Sequence, residues 1–361
     1  MINVDQNKRR SLKTLLYSGL GVSTLGQLSG CSSLNTPKSE LIGCAIRNVN
    51  EYQACAIDIK GQLQHSWPLP SRGHGVATHP TTNQATIFAR RPGHYFIVVD
   101  VETGDYLHTI KPQRHRYFYG HGVYSKNGQF LYVTEGHVNN SRGYVGVYDA
   151  RDKYQKVAEF TGFGIGPHEI ILTPQNTLAV GVGGVHTKER KPLNISTMAP
   201  NLTYLGLNGE VLSQHTLPNS KLSIRHLAHD GIDTVFCGQQ LRGGEDTTAP
   251  LVAIHQQGKE LHYLQAEPEE WARFNGYIAS ITSNKDWIIA TSPRGNCYGV
   301  WSRHSLTLEE LHVLPDASGA TNIKDKLYLS SGVGKVLAYS PMGELEPIRT
   351  SIQWDNHWKS L

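Results

Sequence analysis

The sequence predicts an all-β chain folded as a seven-bladed β-propeller and closed by its own C-terminal segment. Three observations predict it. A His-centred motif recurs as Arg72-Gly73-His74-Gly75-Val76, Tyr119-Gly120-His121-Gly122-Val123, Gly166-Pro167-His168-Glu169-Ile170 and Ile224-Arg225-His226-Leu227, at steps of 47, 47 and 58 residues. Each His is followed by three or four short β-like runs separated by Gly, Asn and Asp turns. Neither an apolar helical stripe nor a capping-box helix start stands out after residue 31. Blocks of about 45 residues with four strands each are the sequence form of propeller blades.

Two later blocks keep the strand rhythm without the His, beginning at Gly276-Tyr277-Ile278 and at Gly319-Ala320-Thr321. The last block supplies four runs by itself (320–323, 326–329, 336–339 and 344–350), which leaves Ile352-Gln353-Trp354-Asp355-Asn356-His357-Trp358 over. The first block supplies only three, at 41–48, 52–59 and 63–69. Closure follows if the C-terminal segment becomes the innermost strand of the first blade and covers an otherwise exposed edge. His357 then occupies the same place as His74, His121, His168 and His226. The insert 188–199, with Pro192 inside it and Pro200 behind it, reads as a loop on the rim. Residues 41–358 thus make a single propeller domain.

Composition narrows the partners. With 39% hydrophobic and 18% charged residues the chain is globular. Of the formal charge of +4, the first 30 residues hold +3, from Lys8, Arg9, Arg10 and Lys13 against Asp5. What remains is too balanced for a nucleic-acid surface. The same 30 residues read as a twin-arginine lipoprotein signal peptide: Lys8-Arg9-Arg10-Ser11, an uncharged mildly apolar stretch, then Leu28-Ser29-Gly30-Cys31 as a lipobox. The mature chain is expected to begin at lipidated Cys31, with 31–40 as its linker, and to sit in the periplasm on a membrane anchor. Ser32 favours the outer membrane. Cys44 and Cys55 fall in two consecutive strands, compatible with a cross-strand disulfide or with two buried thiols. Cys237 and Cys297 have no metal-cluster spacing.

Innermost strands line a propeller's axis, so His74, His121, His168, His226 and His357 are expected to converge there as neutral ligands for iron, copper or non-covalent haem. Glu169, Glu135 and Asp355 are candidate extra ligands or acceptors that fix the imidazole tautomers. Arg72, Arg225 and Arg294 flank the region and suit an anion such as a carboxylate or a haem propionate. A structural role for the His is the alternative, since WD40 repeats also start blades with Gly-His, although the Trp-Asp partner is missing here. Gly-x-Ser-x-Gly, Walker A, His-Glu-x-x-His and Cys-x-x-Cys-His are absent, and Gly162-Phe163-Gly164-Ile165-Gly166 lacks the strand–helix context of a dinucleotide site. Nothing in these motifs assigns an enzymatic reaction.

The run Gly166-Pro167-His168-Glu169 with Gly183-Gly184, Leu193-Asn194 and Met198 resembles the bacterial family known as domain of unknown function 1513. So do Leu222-Ser223-Ile224-Arg225-His226-Leu227, Pro250-Leu251-Val252-Ala253 and Thr291-Ser292-Pro293-Arg294-Gly295-Asn296, and the likeness spans 41–358. The resemblance implies an exported propeller similar to the quinoprotein amine dehydrogenase β-chain and YVTN-type propellers. It also implies imelysin-like or dihaem redox proteins as partners, in iron acquisition. A protein-interaction scaffold with structural histidines and a subunit of a periplasmic oxidoreductase are the competing readings.

Overall fold

Short apolar strands alternate with tight turns, and each group of four closes one antiparallel sheet. The computed structural model describes residues 38–188, 191–243, 248–341 and 347–361. Residues 1–30, expected as a signal peptide, Cys31 and most of the expected linker lie outside the described residues. Seven four-stranded sheets form, and a two-stranded hairpin accompanies the fourth. The second blade is typical, running outward from the axis through Gly73–Thr78, Gln84–Ala89, Phe96–Asp100 and Tyr106–Ile110.

Burial falls from hub to rim. Phe96–Asp100 is almost wholly buried, whereas the fourth strand Tyr106–Ile110 is mostly exposed and carries the polar edge. Seven apolar clusters hold the ring, each shared by two adjacent blades. Between the second and third blades, for example, Phe88, Phe96 and Val98 pack on Phe118, Leu131 and Tyr148. The innermost strands also touch one another in sequence around the axis, and the last touches the first.

The joint lies in the first blade. Its sheet runs Leu63–Leu69, Glu51–Ile57, Leu41–Asn48 and then Gln353–Ser360, so the C-terminal strand is the innermost one. Trp354 and Trp358 from that strand pack with Leu41, Ile57 and the last blade's Tyr328 and Val336. The expected closure is therefore present, and it seals first and last blades in one cluster.

One open alternative is decided and two expectations need correction. Cys44 and Cys55 are both free and buried. A bulge between Ile46 and Asn48 shifts the register by one, pairing Cys44 with Ala54 and Cys55 with Gly43. A one-residue shift sends the two side chains to opposite faces of the sheet, Cys44 toward the second blade and Cys55 toward the last. The insert 188–199 holds more order than a loop: Thr187–Lys188 pairs with Lys191–Pro192, and Ile195–Thr197 forms a 3-10 turn. A helix, Pro268–Arg273, also exists. It opens on a capping box in which Glu267 and Glu270 cap each other's backbone, with Pro268 at its first position. It anchors Trp271 in the cluster between the fifth and sixth blades.

Trp358 is 3% exposed at the closing joint. Trp358→Ala is expected to cost about 3–5 kcal/mol, read as a lower urea midpoint at unchanged slope. An unaltered midpoint would contradict a joint that carries stability.

Candidate metal centre

The recurring His sits on the innermost strand of five blades: Gly73–Thr78, Arg116–Tyr124, Pro167–Leu172, Leu222–His229 and Gln353–Ser360. In four of them the ladder is interrupted at the His, and in Leu222–His229 at Arg225, one residue before it. Register breaks lie between Gly73 and Val76, Phe118 and Gly122, Pro167 and Ile170, Ile224 and His226, and opposite Trp354 and Trp358. Such bulges turn a side chain out of the pleat, and here they turn all five imidazoles onto the axis. Glycine makes room for them. Gly120 adopts φ +100°, open to Gly at little cost, and a Cβ on Gly75 would overlap the Gly120 carbonyl and the His121 ring.

The result is a packed cluster of imidazoles. Six ring pairs among the five His have centroids 4.5–4.9 Å apart. Donor atoms of His74, His121 and His168 lie within 4.8 Å of one another, and so do those of His121, His226 and His357. All five residues are buried. Thr134 Oγ1 donates to the His168 carbonyl at 2.8 Å, or to that of His121 at 3.2 Å, tying two adjacent innermost strands together at the cluster.

Polar partners for the rings are few. His168 Nδ1 meets the Arg225 carbonyl at 3.1 Å, which assigns the proton to Nδ1 and leaves Nε2 as a lone pair. Glu169 stands 3.5 Å from His226 Nδ1 and 3.9 Å from His121 Nδ1, and its Oε2 accepts from the Leu227 N–H at 3.0 Å. Five buried ring nitrogens find no hydrogen-bond partner among the described residues: His74 Nδ1, His121 Nε2, both of His226 and His357 Nε2. Burial pushes every one of these imidazoles down, and mutual repulsion among them adds to it for His74, His121, His168 and His357. His226 and His357 fall to about 3. Glu169 favours the charged form of His121, but desolvation outweighs it, so its contacts are with neutral rings.

The remaining candidates sort cleanly. Glu169 joins the cluster. Glu135 does not, because Tyr148 Oη donates to its Oε1 at 2.6 Å and Lys156 Nζ to its Oε2 at 2.9 Å within the third blade. Asp355 is held by Arg72 Nε at 2.5 Å and accepts its neighbour Asn356 N–H at 2.8 Å, so it faces an arginine instead of an imidazole. Arg294 stacks over Tyr277 at 4.4 Å. Arg72, Arg225 and Arg294 all belong to the mouth where the innermost strands begin. Arg90, Arg91 and Arg242 stand there too and escaped the sequence reading. They end second strands, which in an antiparallel pair return to the mouth where first strands start. On the other side of the His cluster a channel of about 630 Å3 opens, bordered by His121, Glu169, His357 and Lys359.

The family model described as "Protein of unknown function (DUF1513)" matches residues 67–361. No curated protein matches in sequence. Among solved structures, hydrazine synthase of Kuenenia stuttgartiensis superposes with TM-score 0.61 at 12% identity, covering 84% of this chain and 90% of that one. A functionally unknown protein from Desulfotomaculum acetoxidans gives TM-score 0.61 at 9% identity, covering 90% and 99%. At such identities the likeness is one of fold.

The neutral cluster sets a pH dependence. The folded imidazoles hold their protons more weakly than the ordinary value near 6.5 of an unfolded chain, so below that pH the unfolded state binds more protons and stability falls. Glu169, Arg90, Arg225 and Lys359 are the charged groups that act on the rings. Chelator-treated protein is expected to keep full stability above about pH 6.5 and to lose up to about 1.4 kcal/mol per pH unit for each imidazole below it. Urea titrations between pH 7.5 and 5, before carboxylates begin to protonate, test this. A flat profile there would mean that the rings are not buried and neutral.

Proposed function

We propose that this chain, which belongs to the DUF1513 family, is a metal-handling protein whose axial imidazoles hold a first-row transition ion, iron or copper. The observation that carries the reading is the set of five buried, unpartnered ring nitrogens on one axis. A buried polar atom left unpaired costs about 1–3 kcal/mol, and since neutral His226 carries one N–H and one lone pair, up to four of these nitrogens offer lone pairs whose penalty a shared metal ion relieves. A histidine kept for structure alone would be satisfied by hydrogen bonds, and here only His168 has such a bond. This weighs against the scaffold reading.

The donor set suits the ion. Neutral imidazole favours copper, iron and zinc, with copper highest in affinity among the divalent ions. The Arg225 carbonyl accepts from Nδ1 of His168 and leaves its Nε2 free to ligate, as carbonyls behind ligating histidines do, while Glu169 stands 3.5 Å from Nδ1 of His226 and 3.9 Å from Nδ1 of His121. Metal–nitrogen bonds are about 2.0–2.1 Å, and the donor atoms of each group of three already lie within 4.8 Å of one another. Rings this close leave no slot for a macrocycle between them, which favours a bare ion over haem. In this reading the role is binding and delivery. Residues 1–30 export the chain, Cys31 anchors it at the periplasmic face of the outer membrane, and imelysin-like or dihaem redox proteins are its proposed partners in iron uptake.

Metal content of purified mature protein, loaded with ferrous, ferric, cuprous or cupric ion and then dialysed, tests the reading. We expect at least one tightly held ion per chain, lost when His121→Ala and His168→Ala are combined. Glu169→Gln should weaken affinity about 10–100-fold while the fold persists. Absence of stoichiometric metal under every loading condition would overturn the reading.

A further inference from the structure

The His cluster divides the axis, and the strand starts on its other side face a different chemistry. A separate basin of about 240 Å3 opens there, lined by Arg72, Arg90, Arg91, Arg242, Arg294 and Tyr277, with Asp316 the carboxylate on its wall. The arginines come from opposite sides of the ring: Arg72, Arg90 and Arg91 from the second blade, Arg242 and Arg294 from the fifth and sixth.

Two of them, Arg91 and Arg294, are left without a carboxylate partner among the described residues. Arg72 is neutralised by Asp355. Arg91 reaches the Thr187 hydroxyl at 3.4 Å, and Arg294 lies over the Tyr277 ring. Arg225 stands behind the wall, 2% exposed, and its Nε has no hydrogen-bond partner among the described residues. Burial, then Arg242 and Arg91, act against its charge, with Tyr119 and Tyr277 as further neighbours. An arginine side chain stays protonated in proteins all the same, and no carboxylate pairs with this one among the described residues, which is costly for a buried cation. Such a group calls for an anion.

We propose that this basin binds a small di- or tricarboxylate whose separated carboxylates span from Arg91 of the second blade to Arg294 of the sixth. Guanidinium forks match planar carboxylates in bidentate geometry. Two separated carboxylates can each take one guanidinium fork, which a compact anion of one centre cannot do in bidentate geometry at both. The volume, below the usual range of about 300–1,000 Å3 for drug-sized ligands, excludes large polyanions.

Calorimetric titration of chelator-treated mature protein with propane-1,2,3-tricarboxylate tests the site, with acetate, inorganic phosphate and sulfate as comparisons. One saturable site is expected for the tricarboxylate, binding at least about tenfold tighter than any comparison ion and weakening with added salt. Exposed Arg294→Gln should reduce affinity about tenfold at an unchanged melting temperature. Arg225→Met should raise the melting temperature of ligand-free protein and remove the further rise that the tricarboxylate gives. No saturable heat, phosphate binding as tight as the tricarboxylate, or an Arg294→Gln protein with full affinity would each overturn the proposal. Repeating the titration on the His121→Ala/His168→Ala protein separates the two sites: tricarboxylate binding that survives there stands even if the metal reading fails, and the metal assay stands if this one fails.

Discussion

Closure of the ring is the constraint on which everything at the axis depends. Seven sheets packed face to face leave their innermost strands no direction but the centre, and the contact that completes the circle is the pairing of Leu41–Asn48 with Gln353–Ser360. An open arc would expose an apolar face at each end and the hydrogen-bonding edge of the first blade. By contributing one strand from the far end of the chain, the fold removes those faces and delivers His357 beside His74, with ring centroids 4.5 Å apart. The stability of the joint and the composition of the hub are the same structural fact.

That fact has an energetic consequence. Five imidazoles converge because the repeats require it, yet each arrives buried and short of hydrogen-bond partners. Neutrality avoids the larger cost of burying five charges, and that cost is what lowers their proton affinity so far. The remaining penalty rests on lone pairs with nothing to receive them. The seven clusters between blades supply the stability that lets the hub persist in this state.

Much of this was legible in the residues. The recurrence of Gly-His, Pro-His and Arg-His at steps of 47, 47 and 58 residues placed four axial histidines, and counting strands placed the fifth. What sequence could not supply was the bulges. Period-two alternation says which residues share a face, but one extra residue reverses the assignment. The bulge near Ile46 moved Cys44 away from Cys55, and those at the blade starts turned the histidines inward. Glu135 was misjudged for a related reason, since a strand position does not say which neighbour claims a carboxylate, and Lys156 and Tyr148 claim this one. The helix at Pro268 was missed because its cap is Glu, outside the usual Ser, Thr, Asp and Asn set.

Arg225 shows how closely the two ends of the axis are joined. Its carbonyl receives His168 Nδ1 on the imidazole side, while its guanidinium is buried among the arginines and tyrosines of the opposite mouth. The residue lies in the register break between Ile224 and His226, where the backbone is held by fewer ladder bonds than elsewhere in the strand. A counter-ion that draws the guanidinium therefore pulls on the peptide that sets the tautomer and tilt of His168. Any such coupling is reciprocal by thermodynamic necessity: an ion that fixes His168 also fixes the carbonyl, and with it the cation behind the basin wall. One residue type at this position thus answers to two chemistries, because its backbone serves one and its side chain the other.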